Sequence, residues 1–322
     1  MCVMTAALVA LLSAAPLTAQ TPGRQQARPV RPPDTDETVT VSRGTRLSLN
    51  NFAGEVIVRA WDRDAVRVQG RHNARTRITI RPTGSSVVVT ASGTPGSVDY
   101  EVNVPSWMPV KIEGTYAYIA VDGTQADVSA ETVRGDISIK GGASFVTAKS
   151  VEGEVTLEGV RGRINAYSVN EGITITGASG EIVAETVNGP IALNNIEAGS
   201  VDASSVNGNV KYDGAAASSG RYRFSTHNGN IAVSVSENAS AAFSVRTYNG
   251  SVNTNLALQS GGDVGRGQRI TYTLGSGSAD FELETFGGTI QLRRRGSDAP
   301  LRRVREVREK EKEKEKDTDR IR

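Results

Sequence analysis

Apolar and polar positions alternate along this chain in a register that returns every nine residues between Thr115 and Gly214. Cut into nonads, the segment reads TYAYIAVDG, TQADVSAET, VRGDISIKG, GASFVTAKS, VEGEVTLEG, VRGRINAYS, VNEGITITG, ASGEIVAET and VNGPIALNN. IEAGSVDASS, with one extra residue, and VNGNVKYDG complete it. The fifth position is β-branched throughout: Ile119, Val128, Ile137, Val146, Val155, Ile164, Ile173, Ile182 and Ile191, continuing as Val201 and Val210. The seventh alternates large and small: Val121, Ala130, Ile139, Ala148, Leu157, Ala166, Ile175, Ala184, Leu193, Ala203. The repeating unit is therefore two nonads, each one short strand. Positions 1, 3, 5 and 7 are apolar or small and the even positions mostly polar, the period of a strand whose side chains point alternately to two faces.

Such a unit cannot stand alone. Two or three apolar side chains per nonad contribute roughly 1.5–3 kcal/mol each on burial, whereas ordering nine residues costs on the order of 10 kcal/mol. Stacking coils about 4.8 Å apart pairs every backbone group and closes one core, so the pattern predicts a single-stranded parallel β-solenoid with coils of about eighteen residues. Its handedness is left open.

The turns repeat as well. Thr132, Ser150, Ser168, Thr186, Ser205, Thr226, Thr247 and Thr285 each precede a unit, and Asn-Gly follows at Asn188, Asn207, Asn228 and Asn249. Gly and Asn tolerate backbone bends that other residues resist. In register, these Asn side chains could form a hydrogen-bonded ladder, read first as a turn requirement and second as a binding face. Beyond Gly214 the Val-Asn-Gly register continues as His227-Asn228-Gly229, Tyr248-Asn249-Gly250 and Phe286-Gly287-Gly288, at spacings that suggest wider coils filled by aromatics. His227 falls on a core-register position and is read as packed. Residues 38–112 are also β-rich, and Phe52-Ala53-Gly54-Glu55-Val56 echoes Phe286-Gly287-Gly288-Thr289-Ile290. The solenoid is thus expected to begin near residue 38 with irregular coils. No helical period is seen between residues 38 and 292.

The run Asn51-Phe52-Ala53-Gly54-Glu55-Val56-Ile57-Val58, then Tyr100-Glu101-Val102-Asn103-Val104-Pro105, then repeated Thr/Ser-Val-x-Gly-x-Ile resembles the bacterial DUF4097 family of β-strand-repeat proteins, also called the "putative adhesin" family. The resemblance covers about residues 38–292. It implies a solenoid in an exported or envelope protein. It implies no activity and carries over no catalytic residue.

Composition and chemistry sharpen this. The chain of 322 residues, with 34 glycines, 5% aromatics and a net charge of +2, suits one long domain with a thin interior. Residues 1–19 resemble a signal peptide, with an apolar run and a small-residue exit near Ala19 but no Lys or Arg before the run. The single cysteine, Cys2, lies within it, so the mature chain would hold no disulfide. Residues 20–37 read as a Pro/Arg-rich linker, residues 38–112 as N-terminal coils and residues 113–292 as the main repeats. Residues 293–322 read as a charged tail, disordered or helical.

In that tail, Arg293, Arg294, Arg295, Arg302, Arg303, Arg305 and Arg308 precede a Glu-Lys run. The tail reads as a solvated cap on the stack, or as an electrostatic contact with an anionic surface. Nucleic acid is not expected.

No catalytic, cofactor or metal residues are assigned. His72 and His227 are far apart in sequence, and no Cys/His cluster has zinc spacing. Calcium β-roll turns need Gly-Gly-x-Gly-x-Asp, which is missing here. Glu152, Glu154, Glu158, Glu181 and Glu185 scatter over outward positions, and Arg134-Gly135-Asp136 is explained by the turn. Three functions stand in order: an exported non-catalytic envelope scaffold or adhesin-like module binding a protein or glycan, a polymerising bactofilin-like element, and a carbohydrate-active β-helix enzyme. Export predicts a mature chain beginning after Ala19 and recovered from the periplasm or cell surface. Intact mass of a cytoplasmic fraction still retaining Met1 would refute it.

Overall fold

The β-branched fifth positions and the alternately large and small seventh positions lie inside a stack of strands. The computed structural model of the chain describes residues 32–93, 96–264 and 269–307, with 25 strands and no helix among them. The leader and most of the linker fall outside the described residues, as does the Glu-Lys run.

In the middle of the stack, parallel partners sit 18 residues apart. Val128, Val146, Ile164 and Ile182 run up one column. Ile137, Val155, Ile173 and Ile191 run up the other. The seventh positions follow them: Ala130, Ala148, Ala166, Ala184 and Ala203 line the first column, and Ile139, Leu157, Ile175 and Leu193 the second. All are fully buried in one continuous cluster. Small side chains on one wall and bulky ones on the other let two nearly flat columns approach without voids.

Two kinds of corner join the strands. At one, a residue with positive φ turns the chain in successive coils of the middle stack: Gly141 (φ 85), Gly159 (φ 64), Gly177 (φ 64) and finally Asn195 (φ 54). Only Gly, and at some cost Asn, enters this left-handed region readily. The other corner carries the Ser/Thr and Asn-Gly series and is described below.

The register lengthens by three residues after Ser205, which pairs with Thr226. The extra length forms a loop at residues 215–220. There the small-residue column becomes aromatic. Phe224 takes the place of Ala203, Tyr222 that of Val201, and Tyr212 projects from the opposite column. Tyr222 stacks on Phe281 at 4.3 Å, and Phe243 lies 4.9 Å from Phe281. The buried hydroxyls hold the loop: Tyr212 donates to the Ala215 carbonyl at 2.7 Å, and Tyr222 donates to the Ala198 carbonyl at 2.8 Å.

At both ends the coils do not stack in chain order. The strand Arg46–Trp61 spans both columns and lies between the coil of Val110–Thr124 and that of Ser86–Gly93 with Asp99–Pro105. At the other end, Ala279–Thr285 and Ile290–Arg294 insert between the coil of Arg221–Thr226 with Ile231–Val235 and that of Ala241–Thr247 with Gly250–Thr254. The chain thus builds an outermost coil beyond a coil that is second from the end. Phe52 and Phe286, whose surroundings echo each other in sequence, both belong to such inserted coils.

Antiparallel strands then cover each outermost coil. At the first end these are Thr76–Pro82, Ala65–Arg71 and Thr35–Thr40. At the second they are Arg269–Leu274, Gln259–Val264 and Arg302–Val307. The expectation of purely parallel, merely wider terminal coils is corrected accordingly. The stack proper begins at Arg46, since Thr35–Thr40 is an antiparallel cover. The basic segment expected to lie free is partly folded: Arg293 and Arg294 end a core strand, and residues 302–307 form a covering one. Arg294 pairs with Glu237 at 3.0 Å and Arg295 with Asp213 at 2.7 Å.

The wall of alanines makes a prediction. Ala166→Leu or Ala184→Leu forces methylenes into a filled interior and lowers stability by roughly 1–3 kcal/mol. Thr156→Leu, on the outer face of its strand, costs little. Urea titration of the three variants ranks them, and a larger loss for Thr156→Leu would contradict the register.

Candidate functional site

Each long corner begins with a hydroxyl that points inward. Ser150 donates to the Gly135 carbonyl at 3.0 Å, Ser168 to Gly153 at 3.2 Å, Thr186 to Glu171 at 3.0 Å and Ser205 to Gly189 at 3.0 Å. Thr226 donates to Gly208 at 2.8 Å, Thr285 to Gly229 at 2.9 Å and Thr247 to Gly288 at 3.3 Å. Thr132 opens the series on the Ala117 carbonyl at 3.1 Å. All eight hydroxyl residues are buried, and each acceptor lies at the matching corner of the coil below, within a continuous strand in the case of Ala117. A buried carbonyl without such a donor would bear a desolvation cost of about 1–3 kcal/mol.

The turn glycines answer to this stacking. A Cβ on Gly208 would stand 1.9 Å from the Gly189 carbonyl oxygen, and one on Gly229 2.1 Å from that of Gly208. Neither glycine has a positive φ, so here the reason for Gly is close backbone approach rather than the bend expected from sequence.

After the hydroxyl the side chain points outward. Val133, Val151, Val169, Val187 and Val206 are 37–49% exposed and stack on one another up the corner. His227, Phe286 and Tyr248 continue the row in that spatial order, as the backbone bonds from Gly287 N–H to His227 and from Asn249 N–H to Phe286 show. First-position residues were expected to share the interior face with the fifth and seventh. The turn at the third position breaks that alternation, and the first position faces solvent. His227 is therefore exposed, not packed in the core. Its ring stacks on Phe286 at 4.8 Å and 11°, and Phe286 meets Tyr248 at 5.4 Å. Of the late aromatics read as filler, Phe286 and Tyr248 sit on the surface row, while Tyr212, Tyr222, Phe224, Phe243, Tyr272 and Phe281 are core.

Beside this ridge runs the Asn ladder. Asn188 Nδ2 donates to Asn170 Oδ1 at 3.1 Å, Asn207 to Asn188 at 3.0 Å and Asn228 to Asn207 at 2.9 Å. It stops at Asn228 because the coil above is the inserted one, which carries Gly287 there, and Asn249 lies one coil further. Arg134, paired with Glu152, continues the row in the other direction. On the ridge's opposite flank, Glu131 pairs with Lys149 at 3.2 Å, and Arg246 with Glu284 at 3.6 Å.

The arrangement sets an exposed apolar ridge between two polar rows. The rings at the top of the ridge use their faces on each other, and the Arg246 guanidinium covers Tyr248 at 4.9 Å. They therefore present edges, not a flat platform. A shallow groove of about 500 Å³ beside them includes Ser225, Glu284 and Phe286.

His72 lies at the far end of the stack, where its Nδ1–H donates to the Asn73 carbonyl and its Nε2 accepts from Thr35 at 2.9 Å. Glu152, Glu158 and Glu181 are exposed and paired with Arg134, Lys140 and Arg163. Asp136 accepts the Glu154 N–H at 2.8 Å within the turn. Hydrogen bonds from Arg67, Lys111 and Arg134 hold Asp36, Glu113 and Glu152 below the usual carboxylate range. Burial pushes Tyr100 up to about 12 and raises Tyr212 and Tyr222 as well. These shifts come from surface pairing and core packing. Among the described residues no group of three His, Cys, Asp or Glu side chains could hold a metal ion, and no helix is long and apolar enough to cross a membrane.

Two substitutions separate the buried row from the exposed one. Ser168→Ala strands the Gly153 carbonyl and lowers stability by about 1–3 kcal/mol. Asn188→Ala, on the exposed ladder, costs under about 1 kcal/mol. Thermal unfolding compares them, and equal losses would mean the hydroxyl column is not what holds the corner.

A family model described as Toastrack DUF4097 matches residues 45–293. No curated protein matches the chain. Among solved structures, a "putative adhesin" from Bacteroides fragilis NCTC 9343 aligns over 81% of this chain and 96% of its own, with 11% identity and a TM-score of 0.41. A "putative adhesin" from Parabacteroides merdae ATCC 43184 aligns over 80% and 95%, with 11% identity and a TM-score of 0.31. A "putative cell adhesion protein" from Clostridium sporogenes ATCC 15579 aligns over 82% and 100%, with 12% identity and a TM-score of 0.20. None is alike enough to lend this chain a role.

Proposed function

The chain belongs to the Toastrack DUF4097 family, and on that premise we propose that it is a non-catalytic binding module of the cell envelope, exported to the periplasm or cell surface. Its repeating unit in this reading is one coil of two nine-residue units, each with one short strand. The observation that carries the proposal is the long corner, where a continuous apolar ridge runs between two hydrogen-bonding rows in coil after coil. An extended surface of this kind suits adhesion to a protein or glycan, because contacts of modest individual strength add along a rigid rod.

The polymer reading loses support from the covered ends. End-to-end stacking needs bare parallel edges, whereas the covering strands are antiparallel and carry Arg77, Arg81, Pro82, Asp36, Glu37 and Arg302, residues that blunt edge pairing. The enzyme reading finds no converging acids and bases among the described residues. An anionic surface contact through the segment from Arg293 to Arg308 is a weaker part of the proposal, because Arg294 and Arg295 are already engaged by carboxylates.

The test is retention of the mature protein on isolated envelope fractions and on an array of envelope polysaccharides. Wild-type retention should fall at least about tenfold for the double variant Val169→Lys with Val187→Lys, whose sites are exposed and so spare the fold. Release of reducing ends from any polysaccharide would replace the binding reading with an enzymatic one. Retention unchanged in the double variant would move the binding surface off the ridge.

A further inference from the structure

We propose that the ridged corner is also a self-association surface, on which a second copy of this chain packs side by side, axes parallel and coils in register. The inference stands apart from the binding role, since it concerns copy against copy and needs no envelope ligand.

Three observations converge on a second copy. The first is period. Ridge and flanking rows repeat once per coil, about 4.8 Å, whereas same-face residues of an extended peptide recur about every 6.6–7 Å. A peptide strand laid along the ridge falls out of step within two coils. Another stack of coils stays in step along the whole ridge, as dry interfaces between stacked strands do in cross-β packing.

The second observation is charge. Each coil carries one row just before the ridge and one just after it, three residues apart. In neighbouring coils these read Glu131 and Arg134, then Lys149 and Glu152. A two-fold axis parallel to the stack sets one row against the other at the same level. Arg134 then meets the partner's Glu131, Glu152 meets the partner's Lys149, and Asn188 meets the partner's Glu185. No like charges oppose one another from Glu131 up to Arg246. The antiparallel alternative, centred between Val169 and Val187, sets each row against itself. It forms no such ion pair and brings Glu113 towards the partner's Glu284. The parallel arrangement is isologous and closes at two copies.

The third observation is that the ends are closed to growth by antiparallel strands, which leaves the flanks for contact between copies. From Val133 to Tyr248 the ridge spans eight coils, about 34 Å at the usual strand spacing. Three rows wide, it buries a few hundred Å² per copy, below the roughly 800 Å² per partner of a standard interface. Association is therefore weak and reversible in dilute solution and gains strength where copies are crowded or tethered.

The geometry gives a direct readout, because a parallel two-fold places each ridge residue opposite itself. In full-length protein carrying Cys2→Ser, the single variants Val151→Cys, Val169→Cys and Val187→Cys should each form disulfide-linked dimers under mild oxidation. The rate should exceed that of Thr156→Cys on the outer strand face by about tenfold. Lys149→Glu should slow cross-linking through Val169→Cys by setting a second carboxylate against the partner's Glu152. Adding Glu152→Lys should restore it, although within one chain the double change leaves both native pairs broken. Circular dichroism confirms that each variant is folded. Ridge cysteines that cross-link no faster than Thr156→Cys overturn the proposal. So does linkage only between Val151→Cys and Val206→Cys in mixtures, which would mean antiparallel packing. The two readings fail distinguishably, because cross-linking is measured on purified protein with no envelope present, whereas retention is measured on envelope fractions.

Discussion

The buried hydroxyl that reaches from one coil to the turn carbonyl below sets the geometry on which the rest depends. It fixes where each corner sits relative to its neighbour. A turn carbonyl that accepts this hydroxyl must lie directly under the next turn, and the next turn then has no room for a Cβ. Gly189, Gly208 and Gly229 follow from that approach. Once corners superpose, side chains on either side superpose as well. The alanine wall, the isoleucine and leucine wall, the Val ridge and the Asn ladder are four consequences of one alignment. Each bond is worth only about 0.5–1.5 kcal/mol net. Its value lies in repetition: a one-residue slip in any coil would break the column above and below at once.

Much of this was legible in the chain, for a reason tied to particular residues. Between corners the strand period is strict, so Ile137 with Ile139, Val155 with Leu157 and Ile173 with Ile175 announce their inward face. The Ser/Thr series and the Asn ladder were legible too, because a stacked structure writes its turn into every unit. The side on which Val133, Val151 and Val187 fall was not legible. Period-two reasoning carries parity along a strand, but a turn rotates the frame, and three residues of turn separate Val133 from Ile137. His227 was misplaced by the same step. An apolar first position looks like core in sequence whether it packs inward or only against its own copies in adjacent coils.

The ends were illegible for a different reason. Sequence periodicity reports which residues share a ring position, and Phe52 and Phe286 do share one. It does not report the order in which rings stack, because every coil presents the same edges to every other. Nothing local tells Thr285 to pair with Thr226 and Thr247 rather than to follow Thr247 outward. The choice is made by what lies beyond: an outermost coil must be able to accept antiparallel strands on its far side. Arg269–Leu274 does this for Ala241–Thr247, and Arg302–Val307 for Gly250–Thr254. An aromatic core at Tyr222, Phe243 and Phe281 then fills a cross-section that the alanine wall no longer narrows.

Inserting a coil second from each end also changes what the molecule can do. In a stack laid down in chain order, the terminal coil is held on one side only and is the first to open. Here the chain's last full coil is clasped between two others, and the coil outside it is joined to it through a hairpin and a further covering strand. Opening the end therefore means disrupting several strands together, and among the described residues each outermost coil is covered by antiparallel strands. A rod closed in this way keeps a fixed length. Whatever it recognises must approach from the flank, where the same hydroxyl-aligned corner has already drawn an apolar line between two polar ones. The constraint that holds the coils in register is thus the one that shapes the surface left for partners.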